Sequence, residues 1–161
     1  MEAKPQKEHE WLHKLVGEWS FEGECGMGPD QPPMKSTGTE TVRSLGGLWT
    51  IGEGKGEMPG GGPMTSIMTL GYDPQKERFV GSFIASMMTH LWPYEGTLDP
   101  SGNVLTLDSE GPSFTGDGRT VKYQDIIEWK SDDHRTLSSR ARGDDGKWGP
   151  FFMTAHYRRK K

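Results

Sequence analysis

Trp11-Leu12-His13-Lys14-Leu15-Val16-Gly17-Glu18-Trp19-Ser20-Phe21 reads as a helix that ends and a strand that begins within eleven residues. From Gln6 to Val16 the apolar residues Trp11, Leu12, Leu15 and Val16 recur at helical spacing and form one stripe. Glu10 and Lys14 fall opposite that stripe, and His9 and His13 fall on its shoulder. Gly17 suits the position after a helix, because it accepts positive φ without a Cβ clash. So short a helix must be held by packing rather than by propensity. Two residues beyond the glycine, Trp19 stands where a strand entering a barrel would place a plug in its floor.

Downstream, strand follows strand. Alternating segments are expected at Gly17 to Cys25, Lys35 to Leu45, Leu48 to Lys55, Ser66 to Tyr72, Arg78 to Ser86, Trp92 to Leu98, Val104 to Ser109, Arg119 to Trp129, Arg135 to Arg142 and Trp148 to Arg158. The connections carry residues that pre-set turn dihedrals, among them Gly46-Gly47, Asp73-Pro74, Asp99-Pro100-Ser101-Gly102 and Asp144-Asp145-Gly146. Met27 to Pro33 reads as a Gly/Pro loop, and the glycines and prolines of Glu53 to Pro63 predict an irregular segment, a surface loop or a lid. About ten short strands in next-neighbour antiparallel order predict an all-β fold: an up-and-down barrel with a short N-terminal helix at one end, or else a two-sheet sandwich. Closure removes exposed edges. A barrel of this strand number leaves room for one small ligand.

Bulk properties bound the rest. The 161 residues predict a single domain: a loose tail over 1–5, a helix over 6–16, a barrel over 17–158 and a tail over 159–161. Gly at 23 residues is about twice average usage and suits a strongly bent sheet. The net charge of -4 is mild and the basic residues are scattered, which argues against nucleic-acid and membrane partners. The charged N-terminal decapeptide does not read as a signal peptide, no run reaches the length of a membrane span, and Cys25 is the one cysteine. A cytoplasmic protein is the expectation.

Gly17-Glu18-Trp19 after a short helix is similar to the Gly-x-Trp entry of the calycins, the lipocalins and fatty-acid-binding proteins among them. His9-Glu10-Trp11-Leu12, Gly71-Tyr72-Asp73-Pro74, Ser86-Met87-Met88-Thr89, Glu95-Gly96-Thr97-Leu98-Asp99 and Tyr157-Arg158-Arg159 add to it. Together they resemble a bacterial calycin-like family known as a domain of unknown function. The resemblance implies the barrel and no activity. It also implies an arginine lying across the plug tryptophan, a part open to Arg158. Relatives often carry an acid before the Ser-Met pair; this chain has Ala85 there.

The candidate chemistry is sparse. His9-Glu10-x-x-His13 matches a zinc-protease pattern, but Glu10 faces away from the apolar stripe and no third ligand is apparent, so no metal is expected. No haem is expected either, since His156 opposes the inward parity of Phe151, Met153, Ala155 and Tyr157. No other cofactor is called for. Asp125 shares the face of Val121, Tyr123, Ile127 and Trp129, which makes it a desolvated acid: a ligand anchor, a general base or a paired structural carboxyl. His90, between two strands near one mouth, is the best-placed titratable partner for it. Met27, Met34, Met58, Met64, Met87 and Met88 flank loops and suit an adaptable apolar wall.

The reading is therefore a small, mostly hydrophobic ligand held in the barrel by Trp49, Phe83, Met87, His90, Tyr94, Tyr123, Asp125 and Met153, above a floor of Trp19 and Arg158. One alternative is an enzyme in the same cavity with Asp125 and His90 as acid and base. The other is a homodimeric adaptor, since both faces of Phe79 to Met88 are apolar and a partner could cover the outer one.

Overall fold

A computed structural model describes residues 3–26, 31–58 and 61–161. One helix, α1 (Lys7–His13), precedes ten strands: β1 (Gly17–Cys25), β2 (Met34–Leu45), β3 (Trp49–Glu57), β4 (Pro63–Asp73), β5 (Arg78–Ala85), β6 (Trp92–Leu98), β7 (Val104–Pro112), β8 (Thr120–Ser131), β9 (His134–Ala141) and β10 (Met153–Arg159). Each strand pairs antiparallel with its sequence neighbour, and β1 pairs with β10 to close the barrel. The sandwich alternative is thereby set aside. No described helix is long and apolar enough to cross a membrane.

The chain after α1 is built around its tryptophans. The last turn tightens, with Leu15 N–H donating to Leu12 O at 3.0 Å and Val16 N–H to His13 O at 3.1 Å. Gly17 then takes φ +141°, and a Cβ there would lie 2.7 Å from Arg159 Nη1. The glycine is thus required by its dihedral and by its neighbour. Trp19 is fully buried (0% exposed), and its indole N–H donates to Leu15 O at 2.9 Å. Trp11 packs edge-on against Phe79 and Trp129 and donates to Gly102 O at 2.7 Å, which docks α1 over the barrel end.

The barrel wall alternates inward and outward residues as a pleat demands. Inward Leu70, Phe79, Leu105, Leu107 and Ile127 form the core above Trp19. One ion pair lies inside the wall: Arg135 Nη2 donates to Glu40 Oε1 at 2.7 Å, with both side chains largely buried. The Arg135 guanidinium lies between the Trp19 and Tyr157 rings, 4.5 and 4.3 Å from their centroids.

Three sequence expectations need correction. The Glu53 to Pro63 segment is not irregular throughout: β3 runs to Glu57 and β4 starts at Pro63. Its glycines serve close packing. A Cβ on Gly56 would meet Thr37 O at 2.4 Å, and one on Gly38 opposite would meet Lys55 O at 2.3 Å and Phe21 Cζ at 2.5 Å. Only bare backbone fits beneath the Phe21 ring. The lid reading falls partly on Pro59 and Gly60, and the loop reading of Met27 to Pro33 partly on residues 27–30; these lie outside the described residues. The last strand starts at Met153, with Trp148 in a single bridge to Arg142. Finally, α1 spans Lys7–His13 rather than Gln6 to Val16, because its C-terminal turn is drawn tight to reach Gly17.

Breaking a buried pair strands a charge, whereas replacing both partners does not. Glu40→Leu is expected to cost about 3–5 kcal/mol in urea unfolding. The double variant Glu40→Leu/Arg135→Met is expected to recover most of that loss. Equal losses in the single and double variants would mean that the pair itself stabilises the barrel.

Candidate functional site

The strands that converge away from α1 enclose a cavity of about 150 Å³. Its wall is apolar, with Phe83 from β5, Leu137 from β9 and Met153 from β10 around Tyr94 and Tyr123. Phe114, from the turn between β7 and β8, covers the rim and packs on Tyr123 and Phe152 at centroid distances of 5.3 and 5.6 Å. Larger hollows lie outside the wall: one of about 620 Å³ runs along β5 to β8 beside Lys76, Glu95, Glu110 and Lys122. These are open grooves lined by solvated charges.

One carboxyl projects into the cavity. Strand alternation brings Asp125 inward between Tyr123 and Ile127, and register sets it opposite Ser139 on β9. Ser139 Oγ donates to Asp125 Oδ1 at 2.5 Å, and the Tyr94 hydroxyl donates to Oδ2 through a short contact. Burial lifts the Asp125 carboxyl above its ordinary pKa, while the bonds from Ser139 and Tyr94 oppose the lift. Burial, reinforced by Asp125, holds the Tyr94 phenol well above its own ordinary value. The three groups form a polar knot that orients one acid within an apolar wall.

The structure brings five of the sequence-derived residues to this cavity: Phe83, Tyr94, Tyr123, Asp125 and Met153. Trp49 lies elsewhere. It is 41% exposed on the outer face of β3, where its ring lies over Gly71; a Cβ on that glycine would meet Trp49 Cε3 at 2.4 Å. The inward positions of β3 are Thr50, Gly52, Gly54 and Gly56, which fixes Trp49 outside by parity. Met87 is exposed in the β5–β6 connection, and Met88 beside it reaches the cavity instead.

His90 does not line the cavity. Its Nε2 donates to Glu110 O at 2.9 Å, and its ring sits edge-on to Trp92. The structure therefore does not assemble Asp125 and His90 around one space. At the floor, Arg159 and not Arg158 lies across Trp19, 4.3 Å from the ring centroid. Register explains this: Trp19 faces Arg159, while Arg158 faces Ser20 and points to solvent. Arg159 also donates to Val16 O and Lys14 O, each at 3.0 Å, so it closes the last turn of the helix region.

His9 is buried and uses both ring nitrogens inside the fold. Nδ1 accepts from Gln6 N–H at 2.9 Å, and Nε2 then donates to Tyr72 O at 3.2 Å. His13 is exposed, so the zinc-like spacing serves helix capping. Among the described residues no group of three or more His, Cys, Asp or Glu side chains is arranged to hold a metal. His156 points outward, 2.9 Å from His134.

Sequence reading missed Met68, Trp92, Ser109, Phe114, Leu137, Ser139 and Phe152. A signal existed for two of them. Trp92 shares the parity of Tyr94, and Ser109 continues the inward series Leu105, Leu107. Ser139 becomes visible only through the β8–β9 register.

With this geometry in place, the chain belongs to the family described as "Protein of unknown function (DUF1579)", whose model matches residues 4–159. No curated protein matches it. Among solved structures it is similar to Rv2717c from M. tuberculosis, with 14% identity and a TM-score of 0.65, covering 98% of this chain and 100% of that one. It is similar to the S-type phycobiliprotein lyase CPES from Guillardia theta, with 14% identity and a TM-score of 0.55 over 98% and 99% of the two chains. EF1p2_mFAP2b bound to DFHBI is similar at 14% identity and a TM-score of 0.51, over 94% and 98%. At these identities the likeness shows the barrel fold alone.

A carboxyl whose pKa rises on folding contributes stability below its unfolded pKa, near 3.9, and loses it as pH climbs through the folded value. Thermal denaturation is therefore expected to show wild type losing stability relative to Asp125→Asn as pH rises above ~4. Parallel pH profiles for the two proteins would place the Asp125 pKa at its ordinary value.

Proposed function

We propose that this barrel holds one small, mostly hydrophobic molecule in the cavity beneath Phe114, with Asp125 as its polar anchor. The observation that carries the reading is a single carboxyl, held by Tyr94 and Ser139, on the inner face of an otherwise aromatic and aliphatic wall. Apolar pockets with a few placed polar groups are the usual form of small-molecule sites. At about 150 Å³ the space matches an engineered apolar cavity that takes up benzene in another protein, so the guest has the bulk of one ring. A guest reaches it past Phe114, which lines the cavity and is exposed. The similar barrel EF1p2_mFAP2b is bound to DFHBI, which supports a guest-holding role for the architecture. A single half-buried cysteine, Cys25, suits a reducing cytoplasm.

A second reading concerns the outer wall. Ile67 and Ile84 face each other across β4 and β5 on the solvent side, and both are exposed. A second copy of the chain covering this pair would make the protein a homodimer. Light scattering across a dilution series tests it; a monomer at every concentration argues against it.

Native mass spectrometry of freshly purified protein is expected to show a small adduct that organic extraction removes. Leu137→Trp, which fills the cavity, is expected to lose the adduct while keeping the wild-type far-UV circular dichroism. A wild-type protein with no adduct, and with no thermal shift from any member of a small aromatic panel, would end the binding reading.

A further inference from the structure

The wall is unzipped between β6 and β7. The β6–β7 ladder covers Glu95↔Asp108 to Leu98↔Leu105 and stops there, although both strands continue toward the mouth. Pro93, the second residue of β6, has no N–H to offer a ladder. Glu110 O, which continued register would place opposite Pro93, accepts from His90 Nε2 at 2.9 Å instead. The seam is filled by the Trp92 ring, which lies over Gly111: a Cβ there would meet Trp92 Cζ3 at 2.2 Å.

Two polar atoms at this seam have no partner. Trp92 Nε1 and Ser109 Oγ are both buried, in residues only 7% and 8% exposed, and neither makes a hydrogen bond within the protein. Both residues line the 150 Å³ cavity. The other two such atoms among the described residues, Trp129 Nε1 and Arg135 Nε, belong to the residues packed on Trp19. The hydroxyls of Tyr94, Ser139 and Tyr123 are already engaged, to Asp125 and to Pro112 O. A buried donor without a partner loses its hydration and gains nothing for it, so an occupant that satisfies these two is favoured over one that does not.

The inventory fixes the occupant's chemistry. An indole N–H can only donate, and a serine hydroxyl can donate as well as accept. A carbonyl oxygen has two lone pairs and can take both. No Lys, Arg or His lines the cavity, and a carboxyl already does, so a negatively charged ligand would be desolvated without a counter-charge. We propose that the ligand is a neutral, single-ring-sized molecule bearing a carbonyl-type oxygen, which Trp92 Nε1 and Ser109 Oγ recognise at the β6–β7 seam. The inference rests on the binding reading above and adds the class of ligand: its carbonyl oxygen meets Trp92 and Ser109, and Asp125, which only accepts, is left to an N–H elsewhere on the ligand, such as that of an amide. It distinguishes a neutral ketone, aldehyde or amide from a hydrocarbon of the same shape and from a carboxylate.

Three probes separate these cases: acetophenone, its hydrocarbon isostere α-methylstyrene, and benzoate, each titrated into the full chain and followed by ¹H–¹⁵N NMR. The Trp92 indole cross-peak is identified by its loss in Trp92→Phe. Acetophenone is expected to bind about tenfold more tightly than α-methylstyrene, the worth of one to two hydrogen bonds, and to move the Trp92 indole peak downfield. Benzoate is expected not to bind at pH 7. In Trp92→Phe/Ser109→Ala the two neutral probes are expected to bind equally; Ser109→Ala alone, a smaller change, is expected to narrow the gap.

Equal affinities in wild type would overturn the assignment of ligand class and leave cavity binding standing. A preference for the ketone that survives in the double variant would overturn the roles of Trp92 and Ser109. Binding of benzoate as tight as the ketone would overturn the neutral class. Failure of all three probes to perturb any cavity resonance would overturn this inference together with the binding reading.

Discussion

Everything in this barrel hangs on the Trp19 indole and the two guanidiniums that flank it. Arg135 lies over the ring from inside the barrel and Arg159 lies across it from the closing strand, each about 4.4 Å from its centroid. Each cation is tied to something else. Arg135 is held by the buried Glu40 carboxylate, and Arg159 by the carbonyls of Val16 and Lys14. One aromatic ring thus links β1, β2, β9, β10 and the end of the helix region. The constraint is geometric as well as energetic, because the indole N–H reaches back to Leu15 O and fixes the angle at which the strand leaves Gly17.

The opposite end of the barrel is different in kind. Below, the core is large aliphatic and aromatic side chains in contact; above, the wall encloses space and carries hydroxyls and a carboxyl. Burial of Asp125 raises the energy of its charged form, and Tyr94 and Ser139 limit that cost without removing it. A proline in β6 ends one ladder early, a histidine side chain takes up the freed carbonyl, and a tryptophan fills the gap over a glycine. Such local departures from regular pairing are where a β-barrel can present side-chain donors that a complete sheet would cover. Features that read as candidate chemistry elsewhere have structural uses: His9 caps α1 and anchors it to Tyr72, and Trp49 shields Gly71 on the outside.

Much of this was legible in the chain. The helix stripe ending at Gly17, the turn residues and the period-two alternation are local signals, and they suffice for ten strands in up-and-down order. Parity alone puts Asp125 and Tyr123 on one inward face of β8, whereas both faces of Phe79 to Met88 are apolar, so alternation by itself does not place Phe83. The same rule, applied to β10 and β3, sends Arg158 and Trp49 outside; a choice made on residue type rather than alternation misplaces both. Glycines in β3 read as a loop because composition cannot tell a flexible glycine from one that makes room for the Phe21 ring of another strand.

The sequence by itself determined the architecture, since dihedral preferences and side-chain alternation act between neighbours along the chain. Only the tertiary structure decided which arginine covers Trp19, which serine meets Asp125, and that His90 turns to a backbone carbonyl. Those pairings join residues 14 to 140 positions apart, and they depend on strand register and on the early end of one ladder. A one-residue shift in register reverses every such contact while leaving the local pattern unchanged.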